Sequence, residues 1–238
     1  MKQRPAIAAV LAATLSAAAA RSQDASASLP WKLTVGEYFY DSYQGNDVNL
    51  RWRAGGNDAW LGVYSDKVFG TQARIGSDTS VNFGEYLQLQ PSLQLATEGF
   101  VGGSINLQVG GAWYTFVGFG RTDGRPYFNL NFDPNDSLTF GAGHRAPDGT
   151  TYAAFVVADD RFHTGQRDWH LNAQIPFGSS HATLDLVYKT GLSEAGPISA
   201  WGFSVNYEWP RWFLRVAYDP YQNFSDQDAW RLVSGVRF

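Results

Sequence analysis

Apolar and polar residues alternate in short runs along most of this chain. Val48, Leu50 and Trp52 alternate with Asn49, Arg51 and Arg53. Val81, Phe83, Leu87 and Leu89 face Asn82, Gly84, Gln88 and Gln90 in the same way. The pattern recurs over 101–109, 127–133, 168–175, 181–189 and 211–219. Successive side chains of a strand point to opposite faces, so a period of two predicts β-strands with one apolar and one polar face. No helical stripe of useful length competes with it. Between the runs lie Gly55-Gly56-Asn57-Asp58, Thr122-Asp123-Gly124, Asp133-Pro134-Asn135-Asp136, Pro147-Asp148-Gly149 and Pro176-Phe177-Gly178, all turn chemistry. Strand followed by turn, repeated along the chain, predicts successive antiparallel hairpins.

The pattern is symmetric under inversion. In a soluble sandwich or barrel the apolar face points inward, and in a membrane barrel it points outward. Composition shifts the balance. Aromatic residues make up 16% of the chain, more than an ordinary soluble domain needs. Yet mean hydropathy is slightly negative, and past residue 20 no apolar run is long enough to span a bilayer as a helix. A membrane barrel meets both conditions, because its lipid face is apolar, its lumen polar and its interfaces aromatic. The chain has no cysteine, so an exported form relies on packing or a closed sheet. A net charge of −4 with no basic run excludes nucleic acid as a partner class.

The two ends add to this. Lys2 and Arg4 precede an apolar run from Ala6 to Ala20, and small residues follow. That order is expected of a secretory signal peptide over 1–27, with cleavage after 20 as the alternative. Residues 28–238 then form a single β-barrel domain. At the other end, Trp230, Leu232, Val236 and Phe238 occupy alternate positions and Ser234 interrupts them. This ending resembles the C-terminal assembly signal of bacterial outer-membrane β-barrel proteins, over about the last nine residues. The resemblance implies an all-β, closed, antiparallel, transmembrane up-and-down barrel in the bacterial outer membrane. Its partners would be outer-membrane lipids, the barrel assembly machinery and small solutes. The segment spacing gives about 12 strands, with ten and fourteen as alternatives. Phe238 is expected to close the last strand beside the first, near Trp31.

Two interior readings follow for such a barrel. Arg51, Arg53, Arg125, Arg211 and Arg215, with Asn129, Asn131, Asp168 and Asp185, fall on the polar face and are expected to line the lumen. They either pair across it, giving a structural barrel, or line a porin-like pore with a lean toward anions. The second reading is an outer-membrane lipid or peptide hydrolase. Asp159, Asp160, His163 and His170 fall within twelve residues of one expected hairpin tip, and carboxylates paired with His activate water. The same groups suit a divalent cation. They form no recognised signature, and the chain has no Gly-x-Ser-x-Gly elbow. The non-enzymatic barrel therefore leads, with no cofactor and no firm metal site. A soluble periplasmic binding barrel or sandwich is the third reading.

Overall fold

A computed structural model describes residues 29–161, 164–193 and 196–238. The expected signal peptide and His163 lie outside the described residues. The strands are β1 (Trp31–Tyr40), β2 (Gln44–Ala54), β3 (Asn57–Asp66), β4 (Gly70–Thr79), β5 (Val81–Phe83), β6 (Leu87–Ala96), β7 (Phe100–Gly110) and β8 (Trp113–Thr122). They continue as β9 (Ser137–Arg145), β10 (Thr151–Asp159), β11 (Arg167–Phe177), β12 (Ser180–Ser193), β13 (Gly196–Glu208), β14 (Trp212–Asp219) and β15 (Ala229–Arg237). Sequence neighbours pair antiparallel except β4 and β5, which both pair with β6, and β1 pairs with β15 to close the ring. Trp31 and Phe238 exchange both backbone hydrogen bonds at 3.0 Å, so the last residue seals the seam beside the first strand.

The barrel has 14 staves, the upper of the expected alternatives to about 12. β4 and β5 are one stave, because Asp78 faces Ser92 and Val81 faces Leu89 in unchanged register on β6. Their interruption falls opposite Pro91, which has no N–H to donate. The larger number comes from tight connections. Only Gly55-Gly56 joins β2 to β3, and Gly178-Ser179 joins β11 to β12. Gly55 and Gly178 adopt φ of 58° and 60°, which a turn of that length requires and glycine supplies without strain.

The apolar set points outward. Leu61, Leu171, Trp201 and Trp212 are each at least 56% exposed. The buried positions are instead the tyrosines, acids and amides of the opposite parity, such as Tyr38, Tyr64, Gln72 and Asp168. This inverted arrangement needs an apolar surrounding, and it removes the soluble sandwich reading.

One expected strand is absent. Residues 127–133 alternate in sequence but form an irregular loop, 123–136, between β8 and β9. Tyr127, Phe128, Asn129 and Phe132 are all buried, so the segment has no solvent face for a strand to present. Pro126 and Pro134 bracket it and contribute no donors to a ladder.

Candidate pore and its inward loop

Trp31, Phe238 and the two-residue connections 55–56, 111–112 and 178–179 lie at one end of the barrel. The long connections, 123–136 and 220–228, lie at the other. The 123–136 loop does not stand above the rim. It leaves β8 and β9 and crosses the lumen to the wall formed by β4, β3, β1 and β15, a stretch that begins three staves from β8 and reaches half the ring away at β1 and β15.

Side chains of that far wall take the place of a ladder partner. Gln72 on β4 donates its amide to Phe128 O at 3.1 Å and accepts from Phe128 N–H at 2.7 Å. Arg231 on β15 donates to the carbonyls of Leu130 and Asn131 and to the Asp219 carboxylate. Gln222 and Asn223 donate to Asn129 O at 2.7 and 3.2 Å. Phe128 stacks on Tyr64 with ring centroids 4.4 Å apart, and Tyr127 stacks on Phe100 at 4.3 Å. Burial raises the Tyr127 hydroxyl above its ordinary range, so that ring stays neutral. Satisfied polar groups and stacked rings hold the loop at defined positions, as a buried backbone requires.

The returning limb is held by charge. His170 Nε2 is 2.7 Å from Asp133 in the loop, and Nδ1 is 3.1 Å from Asp185 on β12. Its ring lies flat on Phe155, with centroids 4.3 Å apart. At the root, Asp136 accepts from Thr122 N–H and from Arg161, and Asp160 accepts from Arg121.

Between this loop and the terminal end lies a cavity of ≈ 650 Å³. Lys32, Arg51, Arg215, Asn131, Asp185 and Arg237 are among its lining side chains. Arg74 is bonded to Asp47 at 2.7 Å, and Arg53 to Asp58 at 2.7 Å. Arg51 and Arg215 make no ion pair within 4 Å among the described residues. Arg51 lies over the Trp60 ring, 4.9 Å from its centroid.

The sequence-predicted residues scatter accordingly. Arg51, Arg53, Asn131, Asp185 and Arg215 line the cavity. Asn129 is in the loop core, where its side chain bridges Asn131 and Asp133. Arg125 sits exposed at the loop root, donating to Gly99 O. Arg211 is exposed in the β13–β14 turn, outside the lumen. Asp168 is fully buried in the wall, with neither carboxylate oxygen hydrogen-bonded. Trp230, Leu232 and Phe238 face outward. Val236 lies between Leu33 and Trp212 on the neighbouring strands.

His163 lies outside the described residues, and the described members of the Asp/His group, Asp159, Asp160 and His170, have these partners. Asp159 accepts from Arg161 N–H and from Thr164, Asp160 is taken by Arg121, and both ring nitrogens of His170 face Asp133 and Asp185. Asp160 and His170 are thus engaged with different partners, one in the connection after β10 and one on β11. Among the described residues no group of three or more His, Asp or Glu side chains is arranged to hold a metal ion. Lys32, Gln72 and Glu208 were not singled out from sequence. The alternation Lys32-Thr34 against Trp31-Leu33 is the signal that would have placed Lys32 in the lumen.

No family model matches the chain, and no curated protein sequence does. Solved structures do. The chain is similar in fold to outer-membrane porins. Omp33 of Acinetobacter baumannii superposes with a TM-score of 0.56 at 9% identity, covering 88% of this chain and 98% of that one. The NanC porin gives 0.47 at 9% identity, over 87% of this chain and 100% of that one. The KdgM porin gives 0.44 at 13%, over 87% and 99%.

Proposed function

We propose that the protein is a porin-like channel of the bacterial outer membrane, admitting small polar solutes through a lumen narrowed by the 123–136 loop. The observation that carries this reading is the inverted barrel: an apolar outer wall around a charged internal cavity. The fold shared with Omp33 supports it. Long loops face the outside of the cell and short turns the periplasm in such barrels, which puts Trp31 and Phe238 at the periplasmic rim. Phe238 there acts as part of the assembly signal, and residues 1–27 as the export signal. Arg51 and Arg215, without bonded carboxylates, give the pore an anion preference. The test is ion conductance of the refolded protein in planar bilayers. Currents with a reversal potential favouring chloride are expected, moving toward cations in Arg51→Ala and Arg215→Ala. An absence of current across voltages and salts would leave a purely structural barrel. A reversal potential unmoved by both variants would remove the arginines from selectivity.

A further inference from the structure

Three cations stand in one row across neighbouring strands near the terminal end. Arg237 on β15 faces Lys32 on β1, and Lys32 faces Arg51 on β2. All three line the cavity. Strands lie about 4.8 Å apart, so the row covers roughly 10 Å of the wall.

What supports these cations is unusual. The Arg51 guanidinium lies over Trp60, and Lys32 Nζ lies 3.8 Å from the Phe213 ring centroid. A ring holds a cation by its face and accepts none of the in-plane N–H groups of a guanidinium. Two of the three carboxylates nearby are already shared. Glu208 accepts from Arg237, stands 3.8 Å from Lys32 Nζ and 3.6 Å from His181 Nε2. Asp58 takes both of its bonds from Arg53, at 2.7 and 2.8 Å. Asp78 lines the same cavity. Four fixed cations, Lys32, Arg51, Arg53 and Arg237, thus meet three carboxylates, Asp58, Asp78 and Glu208. Further along the lumen Arg215 adds another cation with no ion pair. On other strands Ser104, Asn106, Ser137 and Thr139 are neutral lining residues, while Arg74, His170 and Asp185 also line the cavity.

We propose that this row is a binding site for a small organic dicarboxylate at the terminal-end mouth of the pore. One carboxylate takes the open N–H edge of Arg51 and the other takes Lys32. The separation of adjacent strands, about 5 Å, suits a four-carbon chain. A monocarboxylate engages one of these cations and leaves the other. Arg237 and His181 share Glu208 with Lys32, so its one charge is divided among three cationic or titratable groups, and the neutral hydroxyl and amide side chains solvate the body of the solute. Charge-assisted bonds of this kind strengthen where water is partly excluded. The proposal rests on the pore reading for its access route, while the site itself belongs to the barrel wall.

The experiment is a titration of the purified, refolded barrel in detergent with succinate, followed by calorimetry and by tryptophan fluorescence, alongside bilayer recordings. Saturable succinate binding is expected, with acetate at least about tenfold weaker. Arg51→Gln and Lys32→Gln each weaken succinate about tenfold or more, while Arg125→Gln, at the far rim, leaves it unchanged. Trp60→Phe removes most of the fluorescence response. Heat-dependent gel mobility checks that each variant is folded. No saturable binding to the wild-type barrel, or equal affinity for succinate and acetate, overturns the site. Current without succinate binding leaves the channel and removes the site. Binding without current removes the channel and leaves the site.

Discussion

The hold of the far wall on the inward loop is open to a direct measurement. Gln72 is 1% exposed and makes two hydrogen bonds to the Phe128 backbone, at 3.1 and 2.7 Å. Each such bond contributes roughly 0.5–1.5 kcal/mol net, so Gln72→Ala should weaken the loop-in state by about 1–3 kcal/mol. That range corresponds to roughly a 5- to 150-fold rise in the share of molecules with the loop detached. The Phe128–Tyr64 stack and the Arg231 bonds remain, so detachment stays a minority state in the single variant. Adding Arg231→Gln removes the charged tether to Leu130 and Asn131 as well. The chain has no cysteine, so Leu130→Cys supplies a unique thiol on the loop. Its maleimide labelling rate should rise by the same factor in Gln72→Ala and further in the double variant. Single-channel conductance should rise in parallel as the lumen opens. Equal labelling rates and equal conductance in all three backgrounds would refute the claim that these two residues hold the loop.

Two further outcomes concern the wall itself. Asp168 is buried without a hydrogen bond to either oxygen, while Lys189, its register partner on β12, donates to Asp219 at 2.9 Å. Asp168→Asn should therefore leave the temperature of heat-dependent gel mobility unchanged or higher. Asp219→Asn weakens the partner of both Lys189 and Arg231 and should cost about 3–5 kcal/mol, and equal damage by the two substitutions would contradict this account. At the seam, a Cβ on Gly235 would collide with the Leu33 carbonyl oxygen and the Phe213 ring. Gly235→Ala should lower the yield of folded barrel, and a wild-type yield would show that β1 and β15 tolerate separation there.

Much of the fold was legible because one face of each strand answers to a single demand. Leu61, Leu171 and Leu232 meet an apolar surrounding, so their positions must be apolar and their spacing reveals the strand. The seam was legible for the same reason: Trp230, Leu232 and Phe238 carry the outward parity to the last residue. Strands whose lumen face is also apolar were harder to read. On β8 the inward side chains are Tyr114 and Phe116, while Thr115 points outward, so hydropathy barely alternates and the stave passes unnoticed. The count of about 12 rests on a longer expected repeat, and two-residue turns make room for 14.

The inward loop was misread for a complementary reason. Tyr127 to Asp133 has the sequence pattern of a strand, yet it is buried on both sides and its partners are side chains. Gln72 and Arg231, which replace the ladder, lie on β4 and β15, far from it in sequence. Nothing local in 127–133 announces them. The same holds for the cation row. Arg237, Lys32 and Arg51 become neighbours only because the ring closes between β1 and β15, and closure sets the register that aligns them. A one-residue slip at that seam would move every side chain of β15 to the other face and break the row. The contact between Trp31 and Phe238 pins that register. Phe238, by pairing with Trp31, thus fixes which charges meet inside the barrel.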